Sequence, residues 1–334
     1  MKVDTSSNHS LADAMVTIPS NELEIIDKLI DWQEISNYLS RTGIRTDYLP
    51  LSLFKALLLQ TWHNLSDSRL SSSLSRDVVY MQFCKFSISS NKPDAATICR
   101  YRNKLVKQNL HDKLLDIINK QLELSGHKLN LGSHVIADAS LVASARRPKR
   151  HISTEETSPA EYTTDAVAYS DDKEASWVTK GKKQVYGYAS YMASDADGYV
   201  ETVLCKPANE SETKVFPELV NKLRPIKGRR LLYDKGVDSV SNHKLLKSQG
   251  FKDGIMVKRK KGKQLPRLAK KRNKLISSTR GVIERVFGTM KRTYTLARAR
   301  YLGLDKMHGQ SVFNAICYNL KRAANIQKTI YAMA

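Results

Sequence analysis

The sequence predicts a mixed α/β (α+β) fold, with a helical N-terminal domain followed by a core of alternating strands and helices. Apolar residues over 21–128 recur every three or four positions, the spacing of helices buried on one face. From about 131 the pattern shortens into strand-like runs, and these then alternate with helical stretches, as in mixed α/β domains. The 334 residues allow about two domains at roughly 100–200 residues each, with a core large enough to enclose a site.

Residues 1–20 carry few large apolar side chains and are expected to form a flexible tail. Leu23, Ile26, Leu29 and Ile30 open the helical region, which continues through Leu51, Leu53, Phe54, Leu57, Leu58 and Leu59 to Leu110, Leu114, Leu115, Ile117 and Ile118. Asp94, after the turn at Asn91–Pro93, is a candidate N-cap for a helix over Ala95–Leu105. That helix carries Arg100, Arg102 and Lys104, and either a DNA-recognition helix or a solvated basic face fits it.

The second part, 129–334, starts with the apolar run His134–Asp138. Strands are expected again at Val185–Met192, Tyr199–Leu204 and Arg230–Tyr233, and helices at 211–224, 240–250 and 276–295. Between the first two strands, 145–180 is rich in Ser, Thr and acids, including Glu155, Glu156, Glu161, Asp165, Asp171 and Asp172. It is too polar for a packed element and is expected to be a long loop.

Charge narrows the class of partner. Fifty-five Lys and Arg against 33 acids give a net charge of +22, which implies an anionic partner and says nothing about fold. The four cysteines lack the close pairing of a zinc or redox motif. Neither an apolar leader nor a run of about 18 apolar residues occurs, so a soluble, cytosolic-type protein with no membrane partner is expected.

Three acids stand where chemistry is expected. Asp138 interrupts an apolar strand, where an ionised carboxylate is costly without a cation or hydrogen-bond donors; a water-facing edge position fits it as well. Asp234 ends the strand Leu231–Tyr233 before a Lys-Gly turn, and is either a site acid or a turn former. On the following helix Arg280, Glu284 and Lys291 are spaced by four and seven and share a face, beside an apolar stripe of Ile283, Phe287, Met290 and Tyr294. An ordinary amphipathic surface helix has the same pattern. If the three carboxylates converge, their repulsion makes sense when they share hard divalent cations, magnesium first among them. Two such ions serve in-line phosphoryl displacement without a nucleophilic side chain.

Taken together, Val135–Ser140, Lys182–Tyr188, Tyr233–Gly236 and Ile283–Gly288, with Arg298–Gly303 and Asn319–Arg322 behind them, resemble the DDE transposases of bacterial insertion sequences, in the insertion-sequence-five group. The resemblance runs from about 48 to the C-terminal helix. It implies a ribonuclease-H-like core with Asp138, Asp234 and Glu284 as the metal-binding catalytic triad. It also implies two Mg2+ ions, replaceable by Mn2+, which cleave transposon ends and transfer strands into target DNA. Arg280 and Lys291 match the family signature around the third acid and are expected at phosphates; Ser277 stands where the signature has tyrosine. Ala189 and Tyr191 stand near positions where relatives have lysine and histidine. Arg298 and Arg300 are further candidate DNA contacts.

The basic segment 258–274, densest at Lys258, Arg259, Lys260 and Lys261, is expected to grip the phosphate backbone, although a flexible solvated loop would have the same composition. Partners are thus expected to be terminal inverted repeats and target DNA, with a homo-oligomer assembling on them. Two alternatives stand beside a transposase: a non-catalytic DNA-binding regulator derived from one, and a structure-selective nuclease of the same fold.

Overall fold

The computed structural model describes residues 21–127, 134–148 and 171–333, with side chains to Thr329. The expected tail at 1–20 and most of the polar stretch at 145–180 lie outside the described residues.

Among the described residues seven helices come first: α1 (Glu22–Leu29), α2 (Trp32–Arg41), α3 (Pro50–Trp62), α4 (Asp67–Leu74), α5 (Val78–Cys84), α6 (Ala95–Lys107) and α7 (His111–Leu124). Their starts follow local chemistry. Asn21, Asp31, Ser66, Asp77 and Asp94 each accept a hydrogen bond from a backbone N–H of the first turn, and Pro50 occupies the first position of α3. The expected Asp94 cap is therefore present, with Thr97 N–H as its donor at 2.7 Å. α3 is buried on almost every side. Its buried Lys55 is tolerated because the ammonium pairs with Asp27 and lies 4.1 Å from the Trp32 ring centroid.

A six-stranded mixed sheet follows: β1 (His134–Ala143), β2 (Ser176–Lys180), β3 (Lys183–Asp195), β4 (Val200–Pro207), β5 (Arg230–Tyr233) and β6 (Lys252–Ile255). β1 lies antiparallel to β3 and parallel to β5, and β5 lies parallel to β6. The other edge of β3 is shared, with β2 along its first residues and β4 along the rest. Gly187 marks the close crossing, since a Cβ there would stand 2.0 Å from the Val142 carbonyl oxygen.

Side-chain alternation divides the sheet into two faces. Val135, Ala137, Tyr191, Ala193, Leu231 and Tyr233 pack with the helices α8 (Glu212–Lys222) and α9 (Val240–Ser248). Ile136, Val142, Tyr188, Met192 and Leu232 join a larger apolar cluster with α10 (Arg267–Thr293), α11 (Leu304–Met333) and the N-terminal helices. α11 is the joint, for it packs on β4, α7, α1 and α3. Trp62 Nε1 donates to the Cys317 carbonyl at 3.0 Å, and Asn319 Nδ2 donates to the Val200 carbonyl at 2.8 Å.

Three elements differ from expectation, the first being β6, a short edge strand before the basic segment that the apolar pattern did not mark. β2 lies inside the expected loop, because a two-stranded pairing with β3 satisfies its backbone without an apolar run. α10 begins at Arg267, directly after Pro266, nine residues before the expected start at 276. Lys270, Lys271, Arg272 and Lys274 are consequently helical, and only 258–266 of the basic segment is a loop.

Candidate active site

The strand register brings two of the three acids together. Ile136 pairs with Leu232 across the parallel strands β1 and β5, and two residues further along each chain stand Asp138 and Asp234. Asp138 shares its sheet face with Ile136, the face that α10 covers. Asp234 follows the end of β5 and its carboxylate accepts from the Lys235 N–H at 2.7 Å, as a turn-forming aspartate does. The turn and site roles considered for Asp234 are thus compatible.

Between the two carboxylates lies Arg280. One terminal nitrogen is 2.9 Å from Asp138 Oδ2 and the other 3.6 Å from Asp234 Oδ1. The guanidinium is only 9% exposed at residue level, and its Nε has no hydrogen-bond partner. Burial raises the Asp138 carboxyl above its ordinary range, and the Arg280 charge opposes that rise without cancelling it. The arrangement is a pair of hard oxygen donors closing on one cation. Its donor set fits a divalent metal of the kind carboxylates hold.

A further acid stands close by. Glu212, in the first turn of α8, is raised by burial and then by the charges of Asp138 and Asp234. Its Oε2 lies 2.9 Å from where a Cβ on Gly236 would be, so glycine in the turn after Asp234 leaves room for it. Glu212 was missed because it has no motif neighbours; its only sequence signal is an acid in the first turn of a helix.

Glu284 is placed differently. It is exposed on α10, four residues and about 6 Å of helix beyond Arg280. Among the described residues no three of His, Cys, Asp and Glu form a group able to hold a metal. Two of the three acids are thus held around Arg280, and Glu284 stands exposed one helical turn along α10. The buried guanidinium offsets part of the charge of the pair, while Glu284 is open to water.

The candidate DNA contacts fall into two groups. Lys258, Arg259, Lys260, Lys261 and Arg100 are exposed, and Lys291 is half-buried on α10. Arg102 is instead turned inward, 8% exposed, with both terminal nitrogens 2.7 Å from the Asp67 carboxylate and its guanidinium over the Tyr301 ring. Arg298 donates to the Ala145 carbonyl, and Arg300 donates to the Leu65 carbonyl. These two fasten the segment between α10 and α11 to β1 and to the N-terminal helices. Ser277 is exposed on α10, whereas Ala189 and Tyr191 are buried beneath α8.

A family model described as the transposase DDE domain matches residues 130–320, and a second, described as a transposase domain, matches 10–104. The transposase for insertion sequence element IS1106 of Neisseria meningitidis serogroup B is 38% identical over 227 residues, covering 68% of this chain and 77% of that protein. Among solved structures, a piggyBac transposase synaptic complex with hairpin DNA aligns at a TM-score of 0.44 and 12% identity, over 92% of this chain and 74% of the other.

Proposed function

The chain belongs to the DDE transposases of bacterial insertion sequences, and on that premise we propose that Asp138, Asp234 and Glu284 are its catalytic acids. The family activity is DNA cleavage and strand transfer, it depends on a divalent metal, and the substrate is DNA. The finer proposal is that Mg2+ ions, replaceable by Mn2+, are held by these three carboxylates. The DNA ends acted on would be terminal inverted repeats, and the working form a homo-oligomer assembled on DNA. We place the protein in the cytoplasm at the nucleoid; no described helix is long and apolar enough to cross a membrane.

The observation that carries this reading is the pair Asp138 and Asp234, set side by side by parallel strands and sharing one buried cation. A ribonuclease-H-like core is supported by the strand order β4-β3-β1-β5-β6, with β3 alone antiparallel to both of its long neighbours. When bound, the metals supply activation of water or a 3′-hydroxyl and stabilisation of the leaving oxygen.

The chain's own residues do the positioning. Asp138 presents its oxygens from within β1 and Asp234 from the turn that ends β5, which lowers the cost of organising charge during reaction. Arg280 offsets part of that pair's charge and orders it between reactions. Glu284 approaches from α10 with Lys291 on the same helix face, where the ammonium meets the phosphate next to the cut. The helices 21–128 serve as the domain that recognises the ends and helps assembly, and 129–334 as the catalytic domain.

The test is cleavage and joining of a labelled transposon-end duplex with Mg2+, by wild type and Glu284→Gln. Wild type should cut and join, and the variant should bind without cutting. Equal activity would remove Glu284 from the mechanism, and cutting without joining would indicate a nuclease.

A further inference from the structure

β2 and β3 form more than a sheet edge. Residues 183–185 of β3 pair with β2 alone, because the β1 pairing starts at Gly187 and the Ser144 N–H still donates to the Tyr186 carbonyl at 2.8 Å. Three residues of ribbon therefore project about 10 Å past the sheet. Gly181, at a φ of +63, turns the ribbon within the two-residue loop Gly181-Lys182.

The composition of this ribbon is one-sided. From Ala175 to Tyr186 it holds Lys180, Lys182 and Lys183 and no acid, and all three lysines are exposed. Trp177 is 50% exposed, although a tryptophan normally seeks cover, and its ring rests 5.3 Å from that of Tyr186. The base is firm: the Tyr186 hydroxyl donates to the Asp172 carbonyl at 2.7 Å, and the Ser176 hydroxyl meets Asn209 Oδ1 at 2.9 Å. A two-stranded ribbon beyond the sheet adds little to a core, so an exposed, anchored, lysine-tipped one has another use.

Its position supplies the partner. Trp177 pairs with Tyr186, which shares the sheet face of Tyr188 and Met192, the face carrying Asp138 and α10. Lys180 is close enough to Lys291 and to Glu212 for each to feel its charge. The ribbon tip therefore stands beside both Lys291 and the acids Glu212, Asp138 and Asp234.

We infer that the β2–β3 ribbon is a DNA-binding arm, entering a groove of the duplex beside the cleaved end. Lys180, Lys182 and Lys183 meet phosphates and Trp177 is covered by the bases or sugars it touches. A two-stranded ribbon fits the major groove in width, and three phosphate contacts add salt dependence without sequence readout. The inference rests on the chain acting on DNA, and it adds an element that the acid site does not require.

The test reads binding, so it is independent of catalysis. Affinity for a transposon-end duplex is measured against salt for wild type and Lys180→Ala/Lys182→Ala/Lys183→Ala, with circular dichroism confirming the fold. The slope of log affinity against log salt should fall by about 2–3, near 0.9 for each lost contact. In wild type, acrylamide quenching of Trp177 emission, isolated by subtracting the Trp177→Phe signal, should drop several-fold when DNA saturates the protein. An unchanged slope, or a Trp177 as quenchable in the complex as in the free protein, overturns the arm. If instead Asp138→Asn binds DNA normally and still cuts, the acid assignment fails while the arm stands.

Discussion

The acid site has two ends of opposite character. Asp138 and Asp234 are set by neighbouring parallel strands and tied to a buried Arg280, whereas Glu284 lies exposed one turn along α10. Backbone pairing thus builds one half of the proposed site in advance, and the other half is left to an exposed position on a helix. The contrast shows how such a site can be stable before it is loaded: one cation of the protein's own offsets repulsion between the aspartates, while Glu284 on α10 stays in water.

The largest expected effect tests whether both halves belong to one reaction. Asp138→Asn, Asp234→Asn and Glu284→Gln should each lower cleavage by at least about a thousandfold, the scale of losing a main electrostatic group. Each should leave duplex affinity within about twofold in a mobility-shift titration. If Glu284→Gln loses far less activity than the aspartate variants, the exposed half is not part of the site.

Next in size is the counter-ion. Arg280→Gln leaves two neighbouring carboxylates without their cation, and urea unfolding should show a loss of about 3 kcal/mol. Adding Mn2+ should restore part of that stability, since the metal takes up the uncovered charge. Stability equal to wild type would mean that Arg280 does not organise the fixed half.

The exposed basic loop should act more gently and only through DNA. Lys258→Ala/Arg259→Ala/Lys260→Ala/Lys261→Ala should keep the melting temperature and flatten the salt dependence of affinity, by about 0.9 for each contact made. Arg102→Ala gives the opposite pattern. Its buried ion pair with Asp67 predicts lost stability and a salt slope close to wild type.

The smallest effect lies far from the acids. Burial works to lower the His308 pKa, but its hydrogen bond with Asp112 overrides this and raises it to about 9 from the ordinary 6.5. The stabilisation is complete below about 6.5 and is lost as pH rises through about 9. A melting-temperature profile from pH 6 to 10 should fall across that window in wild type, and His308→Gln should remove that component of the fall.

How much of this the sequence disclosed follows the same division. Asp138 and Asp234 stood out because an acid in an apolar strand, or at its end before a Lys-Gly turn, is a local anomaly that strand periodicity exposes. The Arg280–Glu284–Lys291 spacing was equally local. The guanidinium between the aspartates was not visible, because it depends on the register of β1 and β5 and on how α10 crosses them. Arg102 looked like a DNA contact, since charge spacing along one helix carries no news of Asp67, 35 residues earlier. β2 was hidden in a polar stretch because its stability comes from pairing with β3 and not from an apolar run.

The most direct measurement of the central claim is Mn2+ binding by titration calorimetry, on wild type, Asp138→Asn, Asp234→Asn and Glu284→Gln, each with a bound transposon-end duplex. Three shared carboxylates predict that binding is lost in both aspartate variants and weakened at least about tenfold in Glu284→Gln. Equal Mn2+ affinity in all four proteins would contradict the account.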